Sequence, residues 1–225
     1  MMKSPLRPPL TILEEFLLLA HDDAASQFYP LARSTMDCAT AGATLMDLTL
    51  RHRIDNDLKH MFVVDAEPVD DDLLDPVLQV MALAPVMEPR SIAHWLHQVA
   101  GEGEALRERA MRRLEMRGIL KREEKKILWV FSAERYPILH EGDVQQIKQR
   151  MRRVILGDDI PLPHDMMLTA LAQACGLFDH ILGGRELDAA QPRIDLVARM
   201  DLIGQAVAKA VTEVGTTMAM ASGFR

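Results

Sequence analysis

A chain of 225 residues, 48% hydrophobic and 26% charged, holds enough apolar material for one large globular core. Its net charge of −7 and pI near 5.6 weigh against a DNA-coating protein. The opening MMKSPLRPPL has proline where a signal peptide needs an apolar run. No window approaches the ~20 uncharged residues of a spanning helix, so any membrane contact is expected to be peripheral.

Residues 1–9 are proline-rich and read as a flexible segment, and 10–225 read as one domain. Thr11 fits an N-cap, and Glu14 three residues on completes a capping box for the helix ILEEFLLLAHD. A second helix is predicted from about Thr35 to Arg51, with Ala39, Gly42 and Ala43 small enough for close packing. FVVDAEPVDDD reads as a short strand leaving into an acidic turn. Its Asp70, Asp71 and Asp72 lack the spacing of a calcium loop, so they are expected to be a solvated cap for the helix from Leu73. Ser91 opens a helix through Ala100 that carries His94, Trp95 and His97. No third ligand is near, so these read as surface histidines beside a half-buried tryptophan rather than a metal site.

The most informative stretch is 104–153. It holds 14 Lys and Arg against 8 Asp and Glu, a balance of +6 that leaves −13 for the rest of the chain. EALRERAMRRLEMRG is a helix with Leu106, Ala110 and Leu114 toward the core and Arg109, Arg112, Arg113 and Arg117 on another side, ended by Gly118. ILKREEKKILWVFSAERYPIL reads as a β-hairpin. Lys121, Arg122, Lys125 and Lys126 surround its turn, and Glu123 and Glu124 stand at the tip. The apolar strand Ile127, Leu128, Trp129, Val130 and Phe131 follows. Lysine beside tryptophan suits a lipid–water interface. VQQIKQRMRRVILG is a further basic helix. HDMMLTALAQACGLFDHILG and PRIDLVARMDLIGQAVAKAVTEV then read as two long helices at the centre of the domain. Fifteen methionines and 4% aromatics suit a helical core, and Cys38 and Cys175 read as buried thiols of a reducing cytosol.

No nucleophile elbow, phosphate loop, dinucleotide fingerprint or carboxylate dyad occurs, so an enzyme is the least supported class, and neither metal nor cofactor is expected. Two rival readings remain beside a lipid-binding protein. A basic helix, a glycine and a two-stranded wing also describe a winged-helix nucleic-acid binder. The hairpin could equally serve as a homo-oligomer contact.

Taken in order, several segments resemble the Golgi phosphoprotein 3 family. They are LTILEEFLLLAHDD (10–23), AGATLMDLTLRHRI (41–54), FVVDAEPVDDDLLDPVL (62–78), RSIAHWLHQVAG (90–101), LRERAMRRLEMRGIL with its hairpin (106–131), RYPIL (135–139) and ALAQACGLFDHIL (170–182). The resemblance implies a mostly α, single compact domain with a projecting β-hairpin. It also implies a non-enzymatic cytosolic protein that binds phosphatidylinositol 4-phosphate, inserts the hairpin into the bilayer and binds cytosolic tails of membrane glycosyltransferases. The family's head-group tryptophan falls at Leu31-Ala32, one arginine at Ala41, and a pair of arginines at Glu104 and Arg107. Three of these four pocket positions are changed. The expectation is therefore an anionic lipid, not specifically a phosphoinositide, held by Arg107, Arg109, Arg112 and Arg113, with Lys125, Lys126, Ile127, Leu128 and Trp129 contacting the membrane. No nucleic acid is expected as partner.

Overall fold

The computed structural model describes residues 9–84, 89–127 and 131–222; the side chains at 124–134 and 214–222 lie outside that description. The chain is mostly helical, with ten helices among the described residues and three small antiparallel sheets.

Helix α1 (Ile12–Leu19) begins with the expected capping box: the Thr11 hydroxyl accepts from the Glu14 N–H at 3.1 Å, and the Glu14 carboxylate accepts from the Thr11 N–H at 2.8 Å. All eight of its residues are buried, Glu14 and Glu15 included. This helix is thus central, although its two adjacent glutamates suggest a solvent-facing side. Helix α2 (Arg33–Leu50) crosses α1 and presents the predicted small residues. A methyl group on Gly42 would press into Val207 and lie 3.3 Å from Leu171.

Between these helices lies the ribbon β1 (His21–Asp22) and β2 (Gln27–Phe28). After α2 come β3 (Ile54–Asn56) and β4 (His60–Val63), joined by β5 (Arg90–Ser91) in the order β3-β4-β5. Helix α3 (Asp75–Ala82) precedes β5, and α4 (Ile92–Ala100) follows with Ser91 as its N-cap. Trp95 is 3% exposed rather than half-buried, and its indole N–H donates to the Met61 carbonyl at 3.1 Å.

Helix α5 (Gly103–Met116) ends as predicted at Gly118, whose φ of +65° is the left-handed turn that glycine adopts without steric cost. The hairpin follows, but its turn is not where the lysines are. The Lys-rich stretch is itself strand β6 (Glu123–Ile127), antiparallel to β7 (Phe131–Arg135), with Glu123 opposite Arg135 and Ile127 opposite Phe131. Glu123 and Glu124 therefore begin a strand. Leu128, Trp129 and Val130 fall between the strands in sequence and lie outside the described residues. Charge attracts a turn assignment, but strand propensity is strongly context-dependent, and charged residues, lysine especially, are common on strands with a free edge.

The C-terminal third is α6 (Glu141–Leu156), α7 (Pro163–Ala174), α8 (Phe178–Ile181), α9 (Gly184–Ala198) and α10 (Leu202–Ser222). The two long helices of the sequence reading are therefore four. Gly176, at φ +66°, turns the chain after α7. Asp201 breaks the second segment and caps α10 by accepting the Gly204 N–H at 2.5 Å. Pro192 lies inside α9, past its first turn. The expected central position holds for α7, which has seven buried residues, and for α10 through Ile203, Gly204 and Val207.

Candidate functional site

The positive charge of α5 divides between two sides of the helix. Arg113 and Arg117 turn toward α1. The Arg113 Nε lies 3.3 Å from Glu14, and its Nη1 lies 2.7 Å from Asp71 and 3.2 Å from Asp72. Arg117 Nη1 is 3.4 Å from the same Glu14. Burial alone would lower the pKa of Arg113, but Glu14 and Asp71 outweigh it and hold the guanidinium above its ordinary value. Asp71 accepts the Leu73 N–H at 3.0 Å as a cap would, but it is buried and pairs with Arg51 at 3.3 Å, so this one residue of the acidic turn is a structural anchor, while Asp70 and Asp72 are exposed as expected. The sequence carries no sign of this, because Glu14 reads only as part of a local capping box and Asp71 as part of a solvated turn.

Arg107, the position matching a head-group arginine, is engaged as well. Its Nη1 lies 2.5 Å from Asp37 on α2. Arg33 pairs with Glu104 and sits 3.8 Å from Asp37. Gly103 brings the helices together here, since a Cβ on it would lie 3.1 Å from the Asp37 Cα. Two arginines and two carboxylates thus neutralise one another. Ala41 is fully buried and presents nothing to a ligand. Arg109 and Arg112 differ. Arg109 reaches only the Asp72 carbonyl at 3.3 Å. Arg112 is exposed and its Nε reaches only the Glu108 carbonyl at 3.3 Å.

At the hairpin base, Lys121 pairs with Glu123 at 3.0 Å and Arg122 with Glu108 at 3.1 Å. The base is sewn to the body by the Leu120–Ile138 bridge, by Lys121 N–H to the Pro137 carbonyl at 3.0 Å and by Tyr136 N–H to the Ser26 carbonyl at 2.8 Å. Beyond that base, β6 and β7 contact chiefly each other. Lys125, Lys126 and Ile127 stand in β6, and their side chains lie outside the description, as do Leu128 and Trp129 altogether.

Helix α6 repeats the division. Lys148 pairs with Asp23 at 2.8 Å, Arg150 with Glu15 and with Asp165 at 2.6 Å, and Arg152 with Glu186, while Arg153 is exposed. His164 Nε2 adds a contact to Glu15 at 2.9 Å. Burial lowers its pKa, but the Glu15 hydrogen bond and charge outweigh this and leave it raised. Asp47, which accepts the Ile12 N–H at 2.9 Å, is pushed by burial up to about 7.

Among the described residues no cluster of three or more His, Cys, Asp or Glu is arranged to hold a metal ion, and no helix is long and apolar enough to cross a membrane. Cys38 and Cys175 are free, and burial pushes the Cys175 thiol up to about 12. The class defined is a helical domain with an attached hairpin between two arginine-rich helices. The chain belongs to the Golgi phosphoprotein 3 (GPP34) family, whose sequence model matches residues 12–214. No curated protein matches it.

Proposed function

We propose that the chain is a non-enzymatic, cytoplasmic, peripheral membrane-binding protein that docks on anionic lipid through its β6–β7 hairpin and the outer side of α5. The observation that carries this reading is the hairpin itself. Past its base, β6 and β7 contact chiefly each other; Arg122 at that base pairs with Glu108, one helical turn from Arg112, and the guanidinium groups of Arg109 and Arg112 meet no carboxylate among the described residues. A two-stranded hairpin on its own is marginal in water unless something else covers it. Each basic residue near an anionic surface contributes about 1 kcal/mol, and each buried apolar side chain ~1.5–3 kcal/mol. The pair of terms suits loose, reversible attachment.

Selective recognition of phosphatidylinositol 4-phosphate does not follow. Arg107 is already bonded to Asp37, and Arg33 to Glu104, so a phosphate entering there would displace carboxylates rather than fill an empty cradle. Cytosolic tails of membrane proteins as partners rest on the family alone. Flotation with vesicles of phosphatidylcholine, with phosphatidylserine added, or with phosphatidylinositol 4-phosphate added at equal charge, tests the reading. Binding is expected to follow charge and to show little head-group preference. A double variant Ile127→Asp, Leu128→Asp that stays folded and binds at high salt as the parent does would show the hairpin to be structural. Light scattering on Trp129→Asp identifies the oligomer alternative: a dimer lost on substitution favours a contact between copies.

A further inference from the structure

The backbone register of the hairpin divides its residues between two faces. Successive pairs of a ladder fall alternately on one face and the other. Glu123 with Arg135, Lys125 with Ala133 and Ile127 with Phe131 are every second pair, so they share one face. Glu124 with Glu134 and Lys126 with Ser132 share the opposite face. The two faces differ in chemistry. The first has three apolar residues, and two cations against one carboxylate. The second has no apolar residue, and one cation against two carboxylates. Those two carboxylates, Glu124 and Glu134, are directly opposite each other. Like charges so placed destabilise a strand pair, and least where water screens them.

The base of the hairpin shows which face the body covers. The Leu120–Ile138 bridge keeps the same register, so the alternation carries through to the base. Leu120, Arg122 and Tyr136 fall on the face of Glu124 and Lys126. Leu120 is 2% exposed and Tyr136 7%, and Arg122 pairs with Glu108 of α5. Lys121 and Glu123 fall on the face of Lys125 and Ile127, and both are exposed. The acidic face is therefore continuous with the body side of the base. The face of Ile127, Phe131 and Ala133 is continuous with the solvent side. An apolar face on the solvent side calls for a cover, and its excess of cations selects an anionic one.

We propose that the hairpin lies broadside on an anionic bilayer by this one face. Ile127, Phe131 and Ala133 meet the acyl boundary, Lys125 meets the head groups, and Glu124 and Glu134 remain in water. The inference rests on the docking reading above and refines it in two ways. Lys125 belongs to the membrane contact and Lys126 does not. The strands also lie along the surface instead of entering it end-on, so contact alternates from one residue to the next.

Neighbouring residues carry the test, because they share a position along the hairpin and differ in face. Flotation of the full chain with vesicles of phosphatidylserine and phosphatidylcholine compares Lys125→Gln with Lys126→Gln, and Ala133→Glu with Ser132→Glu. Within each pair the change in net charge is the same. Lys125→Gln should weaken partitioning about fivefold and Ala133→Glu about tenfold, while Lys126→Gln and Ser132→Glu should each change it by about twofold or less. Ala133→Leu should strengthen binding and Ser132→Leu should not, a gain that a misfolded hairpin cannot produce. Equal effects within the pairs would overturn the broadside face and leave docking on anionic lipid standing, as end-on entry requires. A parent chain that does not float overturns both. Light scattering without vesicles reads the other occupant of the face: a parent dimer that Ala133→Glu dissolves and Ser132→Glu preserves would assign it to a second copy and overturn the proposal.

Discussion

Arg112 and Arg113 are neighbours on α5 and opposites in role. Arg113 lies between Glu14 and Asp71, 19% exposed, and ties α5 to α1 and to the turn before α3. Arg112, about 100° further round the helix, is exposed and touches only a carbonyl of its own helix. The same contrast separates Arg152 from Arg153 on α6. The lesson is that basic residues counted along a chain overstate the charge that a surface presents. Much of the excess in 104–153 is consumed by carboxylates from elsewhere in the molecule, and Asp37, Glu14, Glu15 and Asp71 are its internal counterions.

The sharpest way to test that contrast is to remove the buried counterion. Glu14 is 0% exposed and faces two guanidinium groups as well as capping its own helix. Glu14→Ala takes a buried carboxylate away from both arginines and removes the helix cap, so a loss of about 3–5 kcal/mol is expected in urea unfolding. Arg112→Ala should cost less than about 0.5 kcal/mol. Equal losses from the two would erase the distinction between an inner and an outer side.

A second test uses pH on the buried side alone. Burial raises the Asp47 pKa from its ordinary 3.8 to about 7, so the folded state holds its proton more tightly than the unfolded chain. Its contribution is full below the unfolded value and is lost as pH rises toward about 7. His164 also has a raised pKa; its share is present below 6.5 and is lost as pH passes the raised value. Both groups therefore lower stability as pH climbs from 5 to 8. The slope approaches ~1.4 kcal/mol per pH unit for each group within its own window. Asp47→Asn keeps the shape, removes the titration and should flatten the curve between pH 5 and 7. An unchanged slope would mean that Asp47 is ionised throughout.

How much of this was legible depended on the range of the interaction. Local signals were reliable: the Thr11–Glu14 box, the Ser91 cap, Gly118 and the small residues around Gly42 each act within a turn or by size alone. The hairpin was visible, but its turn was misplaced by several residues, because strand register is set by cross-strand pairing that no local pattern encodes. Three of the site's features could not be seen. Glu14 and Arg113 are separated by 99 positions, and Asp37 and Arg107 by 70. Nothing in either neighbourhood says that the two meet. The enclosure of α1, with glutamates that look solvent-facing, emerges only when α2, α5, α6 and α7 close around it. The break at Asp201 was missed because apolar residues continue on both sides of it.

The smallest expected change in stability belongs to the outer side, and it carries the functional weight. Arg109→Gln with Arg112→Gln removes two cations that meet no carboxylate among the described residues, so unfolding should shift by no more than about 0.5 kcal/mol. If these residues face a membrane, the same pair contributes about 2 kcal/mol there at low salt, and partitioning onto phosphatidylserine vesicles should fall roughly tenfold or more. The deficit should shrink as salt is raised to 0.5 M, because the screening length drops well below 10 Å. The companion Arg107→Gln with Arg113→Gln removes the same formal charge from the inner side. It should destabilise the fold by several kcal/mol by taking from Asp37, Glu14 and Asp71 one guanidinium partner each, while the binding of the protein that remains folded falls less. Net charge is identical in the two doubles, so a difference in binding reports where the charge sits rather than how much there is. Vesicle binding that falls equally in both would place the docking surface elsewhere.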